Sequence, residues 1–370
     1  MIEKIKKVIV VDWLDKYGGA ERVIKSMQEI FQFDDFYTLI NIMNKHDYAQ
    51  LNLPNKKNFK QSGLKVFGKS FRYFLFLFHF FIDLFKIDKS AEIIISSSHA
   101  IAKGVRKSSP NQLHISYFQA RNFNYIWDDK KLFFGKFLFI VNPFLKILQH
   151  YDVKQAQNPD FIVCNSFFVK KWVLEKYNRD ATVIYPPVDL KDFNLQKEKQ
   201  DYYVIVGRLA KVKRFDIVIQ AFNLLGRKLI VIGDGEEFHK LNEKANSNIE
   251  FKGFLDSKQV NFYVKNAKAL IQSGVEGFGI ATVEAQACGT PIIAYKDGAV
   301  IETVVPFETG VFFDYQTSES LINAIKIFET LHFDPLNIRN NALQFSKENF
   351  EFKLKTFVEE KWVEHLKKIS

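Results

Sequence analysis

The sequence predicts an α/β protein of two domains, each built on a parallel β-sheet. The chain has 370 residues, which is longer than one ordinary hydrophobic core requires. Short, nearly continuous apolar runs alternate with helical patterns, as in parallel sheets with crossover helices. Two prolines and a charged run mark a linker at residues 186–200. We therefore expect domains at 1–187 and 188–348, followed by a last helix within 349–370.

Composition indicates a packed protein of a reducing compartment. The chain is 47% hydrophobic, and its two cysteines, Cys164 and Cys288, both lie in apolar runs typical of core thiols. The first residues are typical of a strand rather than a secretory signal. A cytoplasmic location is expected.

In the first half, the predicted strands cover residues 5–12, 92–96, 114–118, 161–164 and 182–185. The first strand leads through Gly18 and Gly19 into a helical pattern, and a strand, glycines and a helix N-terminus form a typical anion cradle. The strand at 92–96 leads into Ser96–Ser97–Ser98–His99. Polar residues at the carboxyl end of a parallel strand lie where ligands bind in α/β sheets.

An aromatic segment at residues 71–85 leaves two alternatives open. It is either a helix buried in the first domain or an interfacial helix between basic flanks. Residues 132–148 are interrupted by Lys136, Pro143 and Lys146, so neither segment is expected to span a membrane.

Charge is concentrated in the first half of the chain. Residues 1–190 contain 28 Lys and Arg against 18 Asp and Glu, whereas the remainder is balanced at 24 and 24. The basic residues are dispersed and no nucleic-acid motif accompanies them, so we expect no nucleic-acid partner. An anionic membrane surface, on the inner face of the cytoplasmic membrane, or a phosphate-bearing acceptor is the expected partner.

The second half repeats the alternation of strand and helix. Predicted strands cover residues 202–206, 229–232, 249–254, 269–272, 290–295, 298–303 and 309–313. Predicted helices cover residues 216–225, 321–331 and 351–366.

Residues 274–295 contain the most informative pattern. Glu276 and Glu284 bracket the loop Gly277–Phe278–Gly279, which leads into a helix that stops at Gly289. The first N–H groups of a helix are unpaired and its dipole favours negative charge, so this loop predicts an anion site. A carboxylate on each side suits hydroxyl groups, and a sugar nucleotide carries both features.

This E-x7-E pattern resembles that of family 4 retaining glycosyltransferases, which have the GT-B fold. The resemblance implies two Rossmann-like domains with parallel sheets facing a cleft, and a C-terminal helix that crosses back to the first domain. It implies that Glu276 holds hydroxyls of the donor sugar and Glu284 those of the ribose. It places Arg208 and Lys213 on the diphosphate as it leaves. It also assigns donor contacts to the backbone around Gly18, Gly19, Gly207, Phe254, Gly277, Phe278 and Gly279.

Two further blocks resemble a branch that includes bacterial O-antigen mannosyltransferases. They are SSSHA-x-AKG, ending at Gly104, and Y-x3-R-x5-W-D, from Tyr117 to Asp128. The branch places a His two residues after the Tyr, where this chain has Gln119, so either His99 or Gln119 is expected to contact the donor sugar. Lys103, Arg121 and Trp127 are expected on the acceptor side.

The predicted function is transfer of a sugar, with retention of configuration, from a nucleotide donor to a saccharide or lipid-linked saccharide in bacterial surface polysaccharide synthesis. On the resemblance alone, the donor is GDP-mannose. The chain contains no D-x-D triplet, so neither a metal nor a cofactor is expected. Two alternatives stay open: a sugar-nucleotide epimerase or hydrolase on the same fold, and a catalytically inactive donor-binding scaffold.

Overall fold

The computed structural model describes residues 2–53 and 59–369. The chain divides into two compact units. The first comprises Met1–Pro187 together with Glu348–Ser370, and the second comprises Val188–Lys347.

The first unit contains a parallel sheet. Its strands within the described residues are β1 (Lys7–Val11), β2 (Asp35–Thr38), β3 (Phe59–Gln61), β4 (Ile93–Ser98), β5 (Leu113–Phe118), β6 (Phe161–Cys164) and β7 (Thr182–Val183). Their spatial order is β3-β2-β1-β4-β5-β6-β7. In β1, Ile9 and Val11 join one hydrophobic cluster while Val8 and Val10 join another on the opposite face. Both faces of the strand are therefore covered, which is why it is a nearly continuous apolar run.

Helices cover the two faces of this sheet. They are α1 (Gly19–Phe31), α2 (Lys45–Gln50), α3 (Phe78–Asp83), α4 (Lys130–Phe134), α5 (Leu138–Gln155) and α6 (Phe167–Tyr177). Short 3-10 segments cover Ile2–Lys4, Ala102–Gly104, Asn124–Ile126 and Gly135–Phe137. A longer 3-10 stretch, Gly63–Leu77, is interrupted by non-helical backbone at Gly68 and Phe74.

The second unit has its own parallel sheet. Over residues 188–347 its strands are β8 (Tyr203–Val206), β9 (Leu229–Ile232), β10 (Ile249–Gly253), β11 (Ala269–Gln272), β12 (Ile292–Tyr295) and β13 (Gly310–Phe313), in the order β10-β9-β8-β11-β12-β13. Its helices are α7 (Phe215–Leu225), α8 (Phe238–Glu243), α9 (Ser257–Asn266), α10 (Ile280–Ala287), α11 (Val300–Thr303), α12 (Ser318–Phe328) and α13 (Pro335–Leu343).

The last helix, α14 (Lys347–Ile369), follows the second unit in sequence but packs in the first. Its buried face contributes Phe350, Leu354 and Trp362 to the cluster that contains Ile9 and Val11. The hydroxyl of Ser26 in α1 donates a 2.9 Å hydrogen bond to Glu351. The predicted fold class, with two parallel sheets and a returning C-terminal helix, is confirmed.

Two predicted elements differ from the structure. Residues 298–303 were expected to form a strand, but α11 occupies Val300–Thr303. Strand β4 continues to Ser98 instead of ending at Ser96, because β1 pairs with it as far as Ser97 and β5 pairs with it as far as Ser98. All six residues of β4 are buried.

The aromatic segment 71–85 is buried on one side, as the first of the two alternatives expected, and exposed on the other. Phe71, Phe78 and Ile82 are buried in the cluster beside β1, whereas Tyr73 and Phe76 are exposed. The segment packs by one side only. The helical stretch Lys130–Gln155 is long and apolar enough to cross a membrane by length and composition.

Candidate functional site

Both sheets have the strand order of doubly wound folds, in which the chain leaves the first strand towards one edge and returns to build the other. The reversal lies between β1 and β4 in the first unit and between β8 and β11 in the second. Ligands bind outside the carboxyl ends of the strands at such points. The residues that follow these four strands are therefore candidates for the functional site in each unit.

In the second unit, this position brings Lys213 and Glu276 together. Lys213 ends a 3-10 turn after β8, and Glu276 lies four residues beyond the end of β11. The ammonium of Lys213 donates to the Glu276 carboxylate, and about a quarter of each side chain is exposed. Gln272 donates to the same carboxylate at 3.4 Å. A cation and a carboxylate are thus presented side by side, with access to a ligand.

Two glycines allow the Glu276 loop to adopt this position. A Cβ on Gly274 would lie 2.8 Å from the Cα of Lys213, so only glycine permits this approach of the two loops. Gly298 has φ +85°, and a Cβ there would lie 2.7 Å from the carbonyl oxygen of Glu276. That carbonyl accepts a 3.0 Å hydrogen bond from the N–H of Ala299. The backbone of Glu276 is therefore held from two sides.

Helix α10 begins beside this loop and presents its N-terminus there. Its N-cap is Gly279, which supplies no side-chain cap. Phe278 is buried with its ring centroid 5.6 Å from that of Phe345, which fixes the entry of the chain into the helix. Glu284 lies in the second turn and is half-buried. The expected helix N-terminus is present next to the Lys213–Glu276 pair.

Three other predicted donor residues lie in the loops after β8 and β10. Arg208 is exposed, and its guanidinium has no ion-pair partner among the residues the structure describes. The loop that contains Gly207 packs tightly on the next one, because a Cβ on Gly233 would overlap the carbonyl of Gly207. Phe254 follows β10 and is exposed. Arg208 and Phe254 are thus available to a ligand at this edge of the sheet.

In the first unit, the corresponding position is organised by Asp12, which the sequence analysis did not single out. Asp12 follows β1, is buried, and accepts hydrogen bonds from the backbone N–H groups of residues 99–102 at 2.5–3.0 Å. It also lies 3.0 Å from Nδ1 of His99. The His99 ring packs edge-on against Trp13, with centroids 4.5 Å apart. His99 is therefore fixed in orientation while about a third of its side chain stays exposed.

Gln119, expected as the alternative contact to the donor sugar, ties elements together through its amide nitrogen. That nitrogen donates to the carbonyl of Ala20 in α1 at 3.1 Å and to the hydroxyl of Ser97 in β4. Gln119 thus links the glycine turn to the neighbouring strands. Of the two alternatives, His99 is the side chain with fewer hydrogen bonds to other residues of the protein.

The glycine turn at Gly18 and Gly19 begins α1, and again no side chain caps it. Instead, the carboxyl of Glu21 lies against this turn, since a Cβ on Gly18 would be 3.4 Å from its Oε2 atom. Glu21 is buried, and this desolvation raises the pKa of its carboxyl to about 7 from its ordinary value of 4.5, with a smaller contribution from repulsion by Asp15. An internal acid therefore occupies part of the predicted anion cradle.

This raised pKa predicts a pH-dependent stability that Glu21→Gln removes. Between pH 4.5 and 7, the folded protein keeps a proton on Glu21 that the unfolded chain releases. The free energy of unfolding therefore falls as pH rises, by up to about 1.4 kcal/mol per pH unit. The glutamine variant has the same shape and no charge, so we expect it to equal the native protein near pH 4.5 and to exceed it by roughly 2–3 kcal/mol at pH 8.

Urea denaturation at pH 5, 6, 7 and 8 measures this difference. Glu29→Gln, an exposed glutamate of the same helix, is the control and should leave the slope unchanged. Parallel pH profiles for Glu21→Gln and the native protein would contradict the assignment.

The structure corrects the expected acceptor role of Lys103. Its side chain is fully buried, and its ammonium lies 2.6 Å from Asp152 of α5. Asp152 also accepts from Trp127 Nε1 at 2.8 Å and from the hydroxyl of Tyr177 at 2.6 Å. A buried charge needs such partners. Lys103 therefore holds the segment after β4 against α5 and cannot contact an acceptor.

The other two residues expected on the acceptor side, Arg121 and Trp127, are held near this network. The indole N–H of Trp127 donates a hydrogen bond to Asp152. Arg121 pairs with Asp128 at 3.2 Å and lies over the ring of Phe168, with 17% of its side chain exposed. Asp128 also accepts from Trp172 Nε1 at 2.6 Å. Both residues are positioned by hydrogen bonds that the sequence motif alone does not reveal.

Comparison with known proteins shows what the second unit is similar to. Residues 189–345 match the family model described as "Glycosyl transferases group 1". An uncharacterized glycosyltransferase of Methanocaldococcus jannaschii is 29% identical over 197 residues, which is 51% of this chain and 55% of that protein. The O-antigen chain mannosyltransferase of Salmonella typhimurium is 24% identical over 229 residues, 58% of this chain and 62% of that protein.

A GDP-mannose-dependent phosphatidylinositol dimannoside mannosyltransferase of Mycobacterium tuberculosis is 28% identical over 195 residues, 47% of this chain and 50% of that protein. The chain thus spans about half to three-fifths of the length of these three curated relatives. Relatives of the chain include several glycosyltransferases, mannosyltransferases among them.

Solved structures match the fold over nearly the whole chain. Sucrose-phosphate synthase from Thermosynechococcus elongatus superposes with a TM-score of 0.72 at 16% identity, covering 97% of this chain and 99% of that one. The chain therefore has the GT-B fold, and its residues 189–345 match the glycosyl transferases group 1 model.

Proposed function

We propose that the protein is a retaining, metal-independent glycosyltransferase that moves a sugar from a nucleotide donor to a saccharide or lipid-linked saccharide. The observation that carries the proposal is the Lys213–Glu276 pair, placed at the strand reversal of the second sheet and beside the N-terminus of α10. A cation and unpaired helix N–H groups suit a diphosphate, and a carboxylate beside them suits the hydroxyls of the attached sugar.

Lys213 and Arg208 supply the positive charge in this proposal. When the bond between the sugar and the diphosphate breaks, negative charge grows on the leaving oxygen. A fixed cation that is already in place stabilises this charge without reorganisation. The ammonium of Lys213 is fixed by Glu276, and the exposed guanidinium of Arg208 lies in the loop after the same strand. No protein nucleophile is required for this step.

Glu276 and Glu284 contact different parts of the donor. Glu276 binds sugar hydroxyls and at the same time orients Lys213. Glu284, one helix turn into α10, binds the ribose hydroxyls of the nucleotide. In the first unit, His99 and the Gly18–Gly19 turn are proposed donor contacts, and Arg121 is a proposed acceptor contact. We infer GDP-mannose as the donor and surface polysaccharide as the destination, because mannosyltransferases are among the relatives.

A thermal-shift panel of GDP-mannose, GDP, UDP-glucose, UDP and ADP-glucose tests the donor. Ligand at a hundredfold excess over its Kd stabilises the folded state by about 2.7 kcal/mol. We expect the largest rise in Tm with GDP-mannose, by several degrees. No shift with any nucleotide sugar would contradict the proposal.

Product analysis distinguishes the alternative functions. Slow release of free mannose from GDP-mannose without acceptor, and an α-linked product when an acceptor is present, are expected of a retaining transferase. A changed nucleotide sugar would indicate an epimerase. Binding with no turnover under any condition would indicate a scaffold.

A further inference from the structure

Helix α5 has two apolar stripes, of which the fold uses one. Leu138, Val141, Leu145 and Leu148 pack against the cluster beside β1. A second set, spaced as one continuous helical stripe, comprises Phe137, which directly precedes α5, and Ile140, Phe144, Ile147 and Tyr151 of the helix, and all five are exposed. We call this set the exposed stripe. A helix that is apolar on every side normally has all its sides covered.

The neighbouring elements enlarge this apolar area. Helix α3 packs beside α5, since the His79 ring lies 6.0 Å from that of Tyr151 and bonds Gln155 at 2.6 Å. Around α3, the side chains of Tyr73, Phe76 and Phe80 are exposed, Tyr73 to 85%. A set of large exposed aromatics on adjacent elements exceeds the scattered apolar residues of an ordinary surface and marks a binding face.

The exposed charges on the helical stretch that carries the exposed stripe are positive. Residues 130–151 contain four lysines and no Asp or Glu, and residues 63–82 contain Lys65, Lys69 and Arg72 with no Asp or Glu. Lys131, Lys136 and Lys146 are exposed on the helical stretch itself. A partner that fits must be apolar where it meets the stripe and anionic around it.

From this combination we propose that the exposed stripe of α5 docks in the plane of an anionic phospholipid leaflet. Aromatic side chains are enriched at the level of lipid headgroups, and lysines beside them attract anionic lipids. A second copy of the chain is disfavoured as the occupant, because a symmetric contact would bring the same lysines against each other.

The helix lies on the leaflet and does not cross it. Its other side is tied into the first unit by Leu145, which is buried, and by Asp152 and Gln155, whose side chains bond Lys103 and His79. Crossing would break these ties and move Lys136, Lys146 and Asp152 into hydrocarbon, where charged groups are costly. Docking in the plane leaves the fold intact.

Vesicle flotation of the full-length protein tests the proposal without reference to activity. We expect binding to vesicles of phosphatidylglycerol and phosphatidylcholine, and little binding to phosphatidylcholine alone. Phe137→Ser with Phe144→Ser should weaken binding by more than about tenfold at every salt concentration. Lys136→Gln with Lys146→Gln should weaken it by roughly tenfold at low salt and have little further effect at 1 M salt, where such charges are screened.

The matched control is Phe352→Ser with Leu224→Ser. These side chains are as exposed as Phe137 and Phe144 but lie on α14 and α7. The control pair should bind vesicles like the native protein. Thermal melting verifies that each variant is folded, and the lysine pair tests the surface even if the phenylalanine pair does not fold.

Three outcomes would overturn the proposal. The first is equal loss of binding in the control pair and the Phe137 and Phe144 pair. The second is no vesicle binding by the native protein together with a dimer that the Phe137 and Phe144 changes dissociate, which would assign the stripe to a second copy. The third is resistance to alkaline carbonate extraction, which would show that the helix crosses the bilayer.

Discussion

Glu276→Ala is expected to reduce kcat/KM for sugar transfer by about 10³-fold while the Kd for the bare nucleoside diphosphate stays within about threefold of the native value. The variant loses the proposed contact with sugar hydroxyls, and it also frees the Lys213 ammonium that Glu276 holds in place. Both effects act on the sugar and the leaving group, whereas the nucleotide keeps its own contacts. Initial rates with a nucleotide-sugar donor and calorimetric binding of GDP and UDP measure the two quantities.

Glu284→Ala is the reciprocal variant. Loss of a hydrogen bond to a charged group costs about 1.5–3 kcal/mol, so its Kd for the nucleoside diphosphate should rise by roughly 10- to 150-fold. Equal weakening of nucleotide binding in both variants would show that the roles of the two glutamates are misassigned. Unchanged nucleotide binding in Glu284→Ala would remove its assignment to the ribose.

Lys213→Gln is expected to lower kcat by about 10²–10³-fold, since it removes one preorganised charge donor from the leaving diphosphate. The residue lies in a tight turn between β8 and α7, and its partner Glu276 stays in place through the hydrogen bond from Ala299. Activity with EDTA in the buffer should equal activity without it, because the proposed charge stabilisation comes from side chains.

Lys211→Gln provides the control for this variant. Lys211 belongs to the same turn and is exposed. Its replacement therefore removes the same positive charge from the turn without changing a contact to Glu276. It should retain nearly full activity. Abolition of activity by EDTA, combined with full activity in Lys213→Gln, would contradict the proposed mechanism.

Much of the fold follows from local pattern. Strands such as β1 and β8 are short apolar runs because both their faces are covered, and this leaves a recognisable signature in the sequence. Helix α10 could be placed from its glycines alone. The error at 298–303 has the same origin, since a four-residue helix such as α11 has too few turns to show a helical period.

The sequence did not reveal which of the predicted site lysines is accessible and which is buried. Lys103 and Lys213 both lie in short 3-10 segments that follow a strand, and their local sequences give no reason to separate them. The difference is decided by Asp152 and Glu276, which lie 49 and 63 residues further along the chain. Asp152 pairs with Lys103 in the interior, whereas Glu276 pairs with Lys213 at a position that stays accessible.

By itself, the sequence determined the two parallel sheets and the loop between Glu276 and Glu284, because each depends on spacing along a few consecutive turns or strands. The return of the C-terminal helix to the first unit was implied by the family resemblance and not by spacing. Only the tertiary structure decided that Asp12 gathers the N–H groups of residues 99–102 and that α5 keeps one apolar stripe exposed. The physical reason is that burial and hydrogen-bond partners depend on segments that are distant in sequence. The periodicity of apolar residues indicates only whether one segment forms a helix or a strand.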